Sequence, residues 1–250
     1  MSPTEIGWSV LTCVFGGALL GMALRRMLPI RHLDTESKDV IKLGMALTAT
    51  MSALVLALLI NSAKSSYDAQ RNEVIQLSAN AVLLDRVLAH YGPETKDARE
   101  LVRLSAVSMI DAIWPDENSK PASSIPRVQA EQFYDKIQEL TPQNDFQRAL
   151  QAQALKMSID LGQTRWLLFE QGGRSIPMPF LVLLIFWLTI IFLSFGLFAP
   201  PNMTVIAALF LCALSVSGAI FMILELDRPF GGLIQISSAP LRNAIAQLGK

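Results

Sequence analysis

Residues 175–224 read SIPMPFLVLLIFWLTIIFLSFGLFAPPNMTVIAALFLCALSVSGAIFMIL and contain no Asp, Glu, Lys, Arg or His. The run stops at Glu225-Leu226-Asp227-Arg228-Pro229-Phe230-Gly231-Gly232. One spanning helix needs ~20 apolar residues, so this stretch has room for two. The break between them is Ala199-Pro200-Pro201-Asn202. Two prolines remove two backbone donors and fix φ twice, so a helix cannot run through. The expectation is a membrane hairpin within 175–230, with spans at about 180–198 and 203–224.

Composition agrees. The chain has 250 residues, 52% of them hydrophobic and 17% charged, with a mean hydropathy of +0.39. This balance describes an integral membrane protein with a sizeable polar part. Net charge is zero, and no basic patch suits nucleic acid, so no nucleic-acid partner is expected. Both cysteines, Cys13 and Cys212, fall in apolar spans. They are expected to be small buried hydrophobes, without a disulfide framework.

Upstream, Ser2-Pro3-Thr4-Glu5 opens a helix. Ser2 is the N-cap, Pro3 is the first helical residue, and Glu5 completes a capping box. The apolar stretch 6–24 follows and ends at Arg25-Arg26. As a helix it is about 28 Å long, enough for the hydrocarbon core. No basic side chain precedes Ile6, and no small-residue cleavage site leads into a polar start, so a retained span is expected rather than a signal peptide. Gly17 and Gly21 form a GxxxG step that lets another helix approach closely.

The second span, 43–60, completes a first membrane segment, 1–63. It is rich in small and hydroxyl residues. Steps of three and four align Ala46, Thr50, Ala53, Ala57, Asn61 and Lys64 on one face. A face this small and polar suits protein or water, not lipid tails. It is either a helix-packing face or the wall of an ion pathway. On the second reading Thr50, Ala53, Ala57, Asn61 and Lys64 are the pathway candidates.

No breaker follows Ile60. Val74, Leu77, Ala81, Leu84, Leu88 and Tyr91 recur at alternating steps of three and four, a heptad-like seam. One long helix is therefore expected from about Leu43 to Tyr91, stopped by Gly92-Pro93. A helix at 94–114 follows, with Leu101, Leu104, Ser108 and Ala112 on one side and Pro115 as its end. A loop is expected at 116–125 and a weaker helix at 126–140. Thr141-Pro142 begins a further helix, as N-cap and first residue. Its seam is Phe146, Leu150, Ala154, Met157, Leu161 and Leu168, and Gly172-Gly173 ends it. Residues 64–174 thus form an extramembrane helical bundle. After the hairpin, 231–250 is a tail: a turn at 231–236, then an amphipathic helix at 238–248 with Leu241, Ile245 and Leu248 on one side. That face suits the membrane interface or the bundle. The expected fold is all-α, a polytopic membrane protein of four transmembrane helices with a helical bundle between the second and third.

Four spans put the 25–42 loop and the 199–202 turn on one side, and the bundle with both termini on the other. Arg25, Arg26, Arg31, Lys38 and Lys42 outweigh Asp34, Glu36 and Asp39 in that loop. The positive-inside rule then places the loop in the cytoplasm and the bundle outside. HExxH, CxxC, GxSxG and Walker-type motifs are absent, and the histidines are His32 and His90 alone. No enzyme activity, metal or cofactor is expected. The spans hold no carboxylate pairs, which disfavours a proton relay. Trp166 is expected to pack in the bundle or at the interface. The charged exit Glu225, Asp227, Arg228, Pro229 and Phe230 is a structural turn. It is either a stop-transfer collar with local pairing or a clasp onto the bundle.

These residues resemble a family. The stretch Leu47-Thr48-Ala49-Thr50-Met51-Ser52-Ala53-Leu54-Val55-Leu56, continuing to Ser62-Ala63-Lys64-Ser65-Ser66-Tyr67, is similar to the bestrophin-like family of bacterial membrane proteins. So is Glu225-Leu226-Asp227-Arg228-Pro229-Phe230 with the segment Ile234 to Leu241. True bestrophins, which are oligomeric chloride channels, are a looser match. Glu225 and Pro229-Phe230-Gly231 agree in kind with their exit motif. Arg228 stands where they have Asn, and 232–238 lacks their acidic run, so no calcium clasp of that type is expected. The resemblance implies a pore lined by the second span and narrowed by bulky apolar side chains, for which Leu54, Leu58 and Leu59 are available. It also implies a cytoplasmic helical region, opposite to the side assigned by charge.

The leading expectation is an oligomeric, anion-permeable channel in a bacterial inner membrane, with lipid, copies of itself and chloride or another small anion as partners. The rival is a non-conducting sensor or scaffold whose bundle binds a protein along the seam from Val74 to Tyr91.

Overall fold

The computed structural model describes residues 2–27, 35–114, 127–170 and 176–249. The loop expected at 116–125, the glycine stop at 172–173 and residues 28–34 of the 25–42 connection lie outside the described residues. The helices are α1 (Pro3–Met27), α2 (Thr35–Tyr91), α3 (Lys96–Ile113), α4 (Arg127–Gln138), α5 (Asp145–Glu170), α6 (Met178–Phe198), α7 (Met203–Leu226) and α8 (Ala239–Ile245). No strand occurs among the described residues. Among the described residues, four helices are long and apolar enough to cross a membrane: α1, α2, α6 and α7. The chain divides into two compact units, Met1–Tyr67 with Arg174–Asp227, and Asp68–Gly173 with Arg228–Lys250.

In the first unit α1 packs on α6 and α7. Its start is a closed capping box: the Ser2 N–H donates to Glu5 Oε2 at 2.7 Å, and the Glu5 N–H donates to Ser2 Oγ at 3.2 Å. Glycine governs the α1–α6 contact. A Cβ at Gly17 would lie 3.0 Å from the Thr189 carbonyl oxygen, one at Gly21 would strike the Leu193 carbonyl, and one at Gly196 would strike the Ala18 carbonyl. The two backbones therefore touch directly, as a GxxxG step permits. On α7 the buried Ser217 hydroxyl donates to the Gly7 carbonyl at 2.7 Å. Arg25, at the end of α1, donates to the carbonyl of Ala199, the C-cap of α6. A cation there satisfies a terminal carbonyl and the helix dipole together. Asn202 starts α7 by accepting from the Val205 N–H at 2.9 Å. The break between α6 and α7 thus falls at Ala199-Pro200-Pro201-Asn202.

The cysteines correct an expectation. Cys13 and Cys212 are exposed free thiols on faces of α1 and α7 that the chain leaves uncovered.

In the second unit the lower part of α2 supplies the core. Val74, Leu77, Ala81, Leu84, Leu88 and Tyr91 are all buried. Gly92, at φ 146°, ends α2 in a backbone region that favours glycine. The buried Thr95 hydroxyl sits at the last carbonyls, 2.7 Å from the Leu88 oxygen and 2.8 Å from that of Gly92. Burial, and next the charge of Glu94, raise the Tyr91 phenol above its ordinary pKa.

Three details differ from expectation. Helix α2 begins at Thr35, ahead of Leu43. Helix α3 buries Ala98, Val102, Ala106, Met109 and Ile110, while Leu104 is exposed. Beside that buried face Arg99 makes a bidentate pair with the buried Asp85 at 2.7 and 2.8 Å, which is compatible with this rotation and not with one that buries Leu104. Helix α5 begins at Asp145, not at Thr141-Pro142. Asn144 accepts from the Gln147 N–H at 2.8 Å and is the effective cap. Phe146, in that first turn, is exposed, whereas Ala154 and Leu168 are buried.

The tail closes on the same unit. Trp114 Nε1–H donates to the Ile236 carbonyl at 2.8 Å, and its ring meets Phe230 edge-on at 5.5 Å. Leu241, Ala244 and Leu248 are buried, and the Gly249 N–H reaches Asp85 Oδ2 at 3.2 Å. Of the two placements open to the amphipathic tail, it takes the docked one.

Candidate functional site: the uncovered face of the second helix

The membrane part of α2 joins its unit through one narrow seam. Ser52, Leu59 and Ala63 are buried, with Val55 and Leu56 partly so. At 100° per residue these positions cluster on one side of the helix. Thr50, Ala53, Ala57, Asn61 and Lys64 cluster about 150° away, on the opposite side. All five are exposed. The structure thus places the five pathway candidates together on one continuous strip. Thr50 satisfies its hydroxyl within the helix, donating to the Ala46 carbonyl at 2.9 Å.

Leu47, Leu54 and Leu58 lie between seam and strip and are 60%, 62% and 67% exposed, far beyond Leu59 at 5%. Leu59 is therefore removed from the set of bulky side chains available to narrow a pore, because it packs inside its own unit. Beside Asn61, a groove of about 440 Å³ runs between α2 and the start of α6, with Ser62, Ser65, Pro177 and Phe180 on its walls.

Burial separates α2 from the other candidate spans. Its apolar window is 11% buried, against 39%, 33% and 22% for α1, α6 and α7. Lipid can cover the leucines, but a strip of Thr, Ala, Asn and Lys gains nothing from hydrocarbon.

The exit turn is compact. Glu225 is buried on α7, and Asp227 is its C-cap, with its N–H donating to the Ile223 carbonyl at 3.2 Å. Arg228 follows, then the buried Pro229, whose carbonyl accepts from the Ile236 N–H at 2.7 Å, and Phe230 against Trp114. No Asp or Glu occurs beyond Asp227. Among the described residues no three His, Cys, Asp or Glu side chains gather closely enough to hold a metal. The residues after α7 do not fit a calcium clasp. The Asp85–Arg99 pair and the Ser217–Gly7 bond escaped sequence reasoning, because each joins residues on different helices. An acid in the apolar run 81–88 is the one signal that pointed to the first.

Fold and face together define a polytopic all-α membrane protein whose longest helix leaves a small polar strip uncovered. The chain belongs to the bestrophin-like family, whose model, a bestrophin-like domain, matches residues 12–241. Among solved structures it is similar to a single-substitution variant of a bacterial bestrophin homolog from Klebsiella pneumoniae. That likeness has a TM-score of 0.66 at 13% identity, covering 96% of this chain and 97% of the other, and is one of fold. No match is found among curated proteins.

Proposed function

We propose that this chain is one subunit of an oligomeric, anion-permeable channel whose pathway is lined by α2. The observation that carries the reading is the exposed strip Thr50, Ala53, Ala57, Asn61 and Lys64, set opposite the seam that holds α2 in its own unit. Copies arranged about an axis would turn these strips inward to water. Leu47, Leu54 and Leu58 would then pack between neighbouring α2 helices. Small side chains keep such a path open, Asn61 offers an amide to a partly dehydrated anion, and Lys64 adds positive charge at its end. Family membership supports the same reading. The rival scaffold loses its motive, since the seam from Val74 to Tyr91 is consumed inside the second unit.

The test is conductance of the purified protein in planar bilayers with chloride as the permeant ion. Ala53→Trp and Ala57→Trp are expected to cut the current by more than about tenfold. Lys64→Glu is expected to reduce the preference for anions over cations. Silent bilayers, or current indifferent to both tryptophans, reject the reading.

Sidedness is proposed from charge: the 25–42 loop in the cytoplasm, the helical unit and tail outside. Alkaline phosphatase fused after Lys250 is then active, and green fluorescent protein at the same place is dark. The reverse pattern overturns the assignment and matches the bestrophin arrangement.

A further inference from the structure

The second unit contains a cavity of about 130 Å³ between α2, α3, α4 and α5. Most of its wall is apolar, including Leu77, Val102, Met109, Phe133 and Leu161. Two polar features interrupt it. Arg165 lines the cavity, is partly buried, and makes no hydrogen bond or ion pair among the described residues. Burial lowers its pKa, the direction expected of a cation partly withdrawn from water. Ser105, also on the wall, has a buried hydroxyl oxygen with no hydrogen-bond partner among the described residues. By contrast Ser158 on the same wall donates to the Leu155 carbonyl at 2.7 Å.

A buried donor left unmade is costly, and a partly buried cation without an anion more so. Neither is needed to hold the fold: α2 and α3 are already fastened by Asp85 and Arg99. The size is also informative. The pocket is partly open to solvent, and its volume is close to the ~150 Å³ that accepts a benzene-sized guest. A guest here has to bring an apolar body of about that size and one negative charge.

We propose that this cavity is a binding site for a small organic acid, a monoanion with a compact aromatic or branched apolar body whose carboxylate pairs with Arg165. Ser105 offers the guest a further hydrogen-bond donor. The site is separate from the α2 strip, and its occupancy does not depend on whether the protein conducts.

Benzoate is the probe, with benzamide as its neutral counterpart of the same shape. Titration calorimetry and thermal unfolding are run on the full-length protein in detergent at constant ionic strength. Benzoate is expected to bind and to raise the melting temperature, and benzamide to bind at least tenfold more weakly. Arg165→Gln is expected to lose at least tenfold in benzoate affinity. Gly162→Leu gives a second check. Gly162 lines the cavity, and a Cβ there meets no atom within 4 Å, so the added side chain fills the space without displacing the fold. It is expected to abolish benzoate binding without lowering the melting temperature of the unliganded protein. No benzoate binding by the wild type, equal binding of benzamide, or unchanged affinity in Arg165→Gln overturns the proposal. So does a change of oligomeric state in Arg165→Gln with benzoate affinity intact, which makes Arg165 an interface residue.

Discussion

Asp85→Ala is expected to destabilise the second unit by about 3–5 kcal/mol, the cost typical of breaking a buried ion pair on one side. The Asp85 side chain is 4% exposed and that of Arg99 is 18% exposed, so the pair is held largely away from water. Hydrogen bonding to Asp85 raises the pKa of Arg99 above its ordinary value, and the substitution removes that bidentate contact from a guanidinium that stays charged. Asp85 also receives the Gly249 N–H, and its loss loosens the last residues of the docked tail. The check is thermal unfolding of the full-length protein, with limited proteolysis of the tail as a second readout. Replacing both partners, Asp85→Leu with Arg99→Met, is expected to restore most of the loss, since an apolar pair of similar volume carries no desolvation penalty. A melting temperature unchanged in Asp85→Ala removes the pair from any part in stability.

The second large effect lies between α1 and α6. Gly21→Ala and Gly196→Ala each place a methyl group on a backbone carbonyl of the facing helix, Leu193 for one and Ala18 for the other. A carbonyl in the middle of a helix cannot rotate aside, so the helices have to separate. Overpacking of this kind costs about 1–3 kcal/mol, and leucine at either site is expected to cost more. Gly16→Ala is the control. A Cβ there meets nothing within 4 Å, so it is expected to be silent or slightly stabilising. Unfolding of the three variants in matched detergent separates these outcomes. If Gly21→Ala melts with Gly16→Ala, the two helices do not touch through their backbones.

Local chemistry was readable and rotation was not. The Ser2–Glu5 box, the double-proline break and the Gly92 stop all came through, because each is governed by neighbours a few residues apart. So did the α2 seam, where a sustained period leaves little choice of face. Helix α3 shows the limit. Its leucines suggest one stripe, yet Ala98, Val102 and Ala106 face inward, and beside them Arg99 meets Asp85 on another helix. Asn144 likewise displaced Thr141 as the cap of α5, since its side chain reaches a backbone N–H that competing local signals hid. The pathway strip was legible as a pattern in α2. Its setting, opposite the packed seam, depends on Ser52, Leu59 and Ala63 finding partners on other helices. Arg165 and Ser105 looked like ordinary bundle residues, because a cavity is a property of several helices at once.

The bond from Arg25 to Ala199 joins residues 174 positions apart. It fastens α1 to the end of α6, a helix synthesised much later. At roughly 5–20 residues per second, a ribosome needs about 10–35 s to supply that partner. Through this interval the glycine face of α1 waits in the bilayer with only lipid, or an insertion factor, against it. Helix α1 is therefore an early arrival that is secured late. Chains truncated before α6 are expected to expose it to degradation, whatever the state of the helices in between.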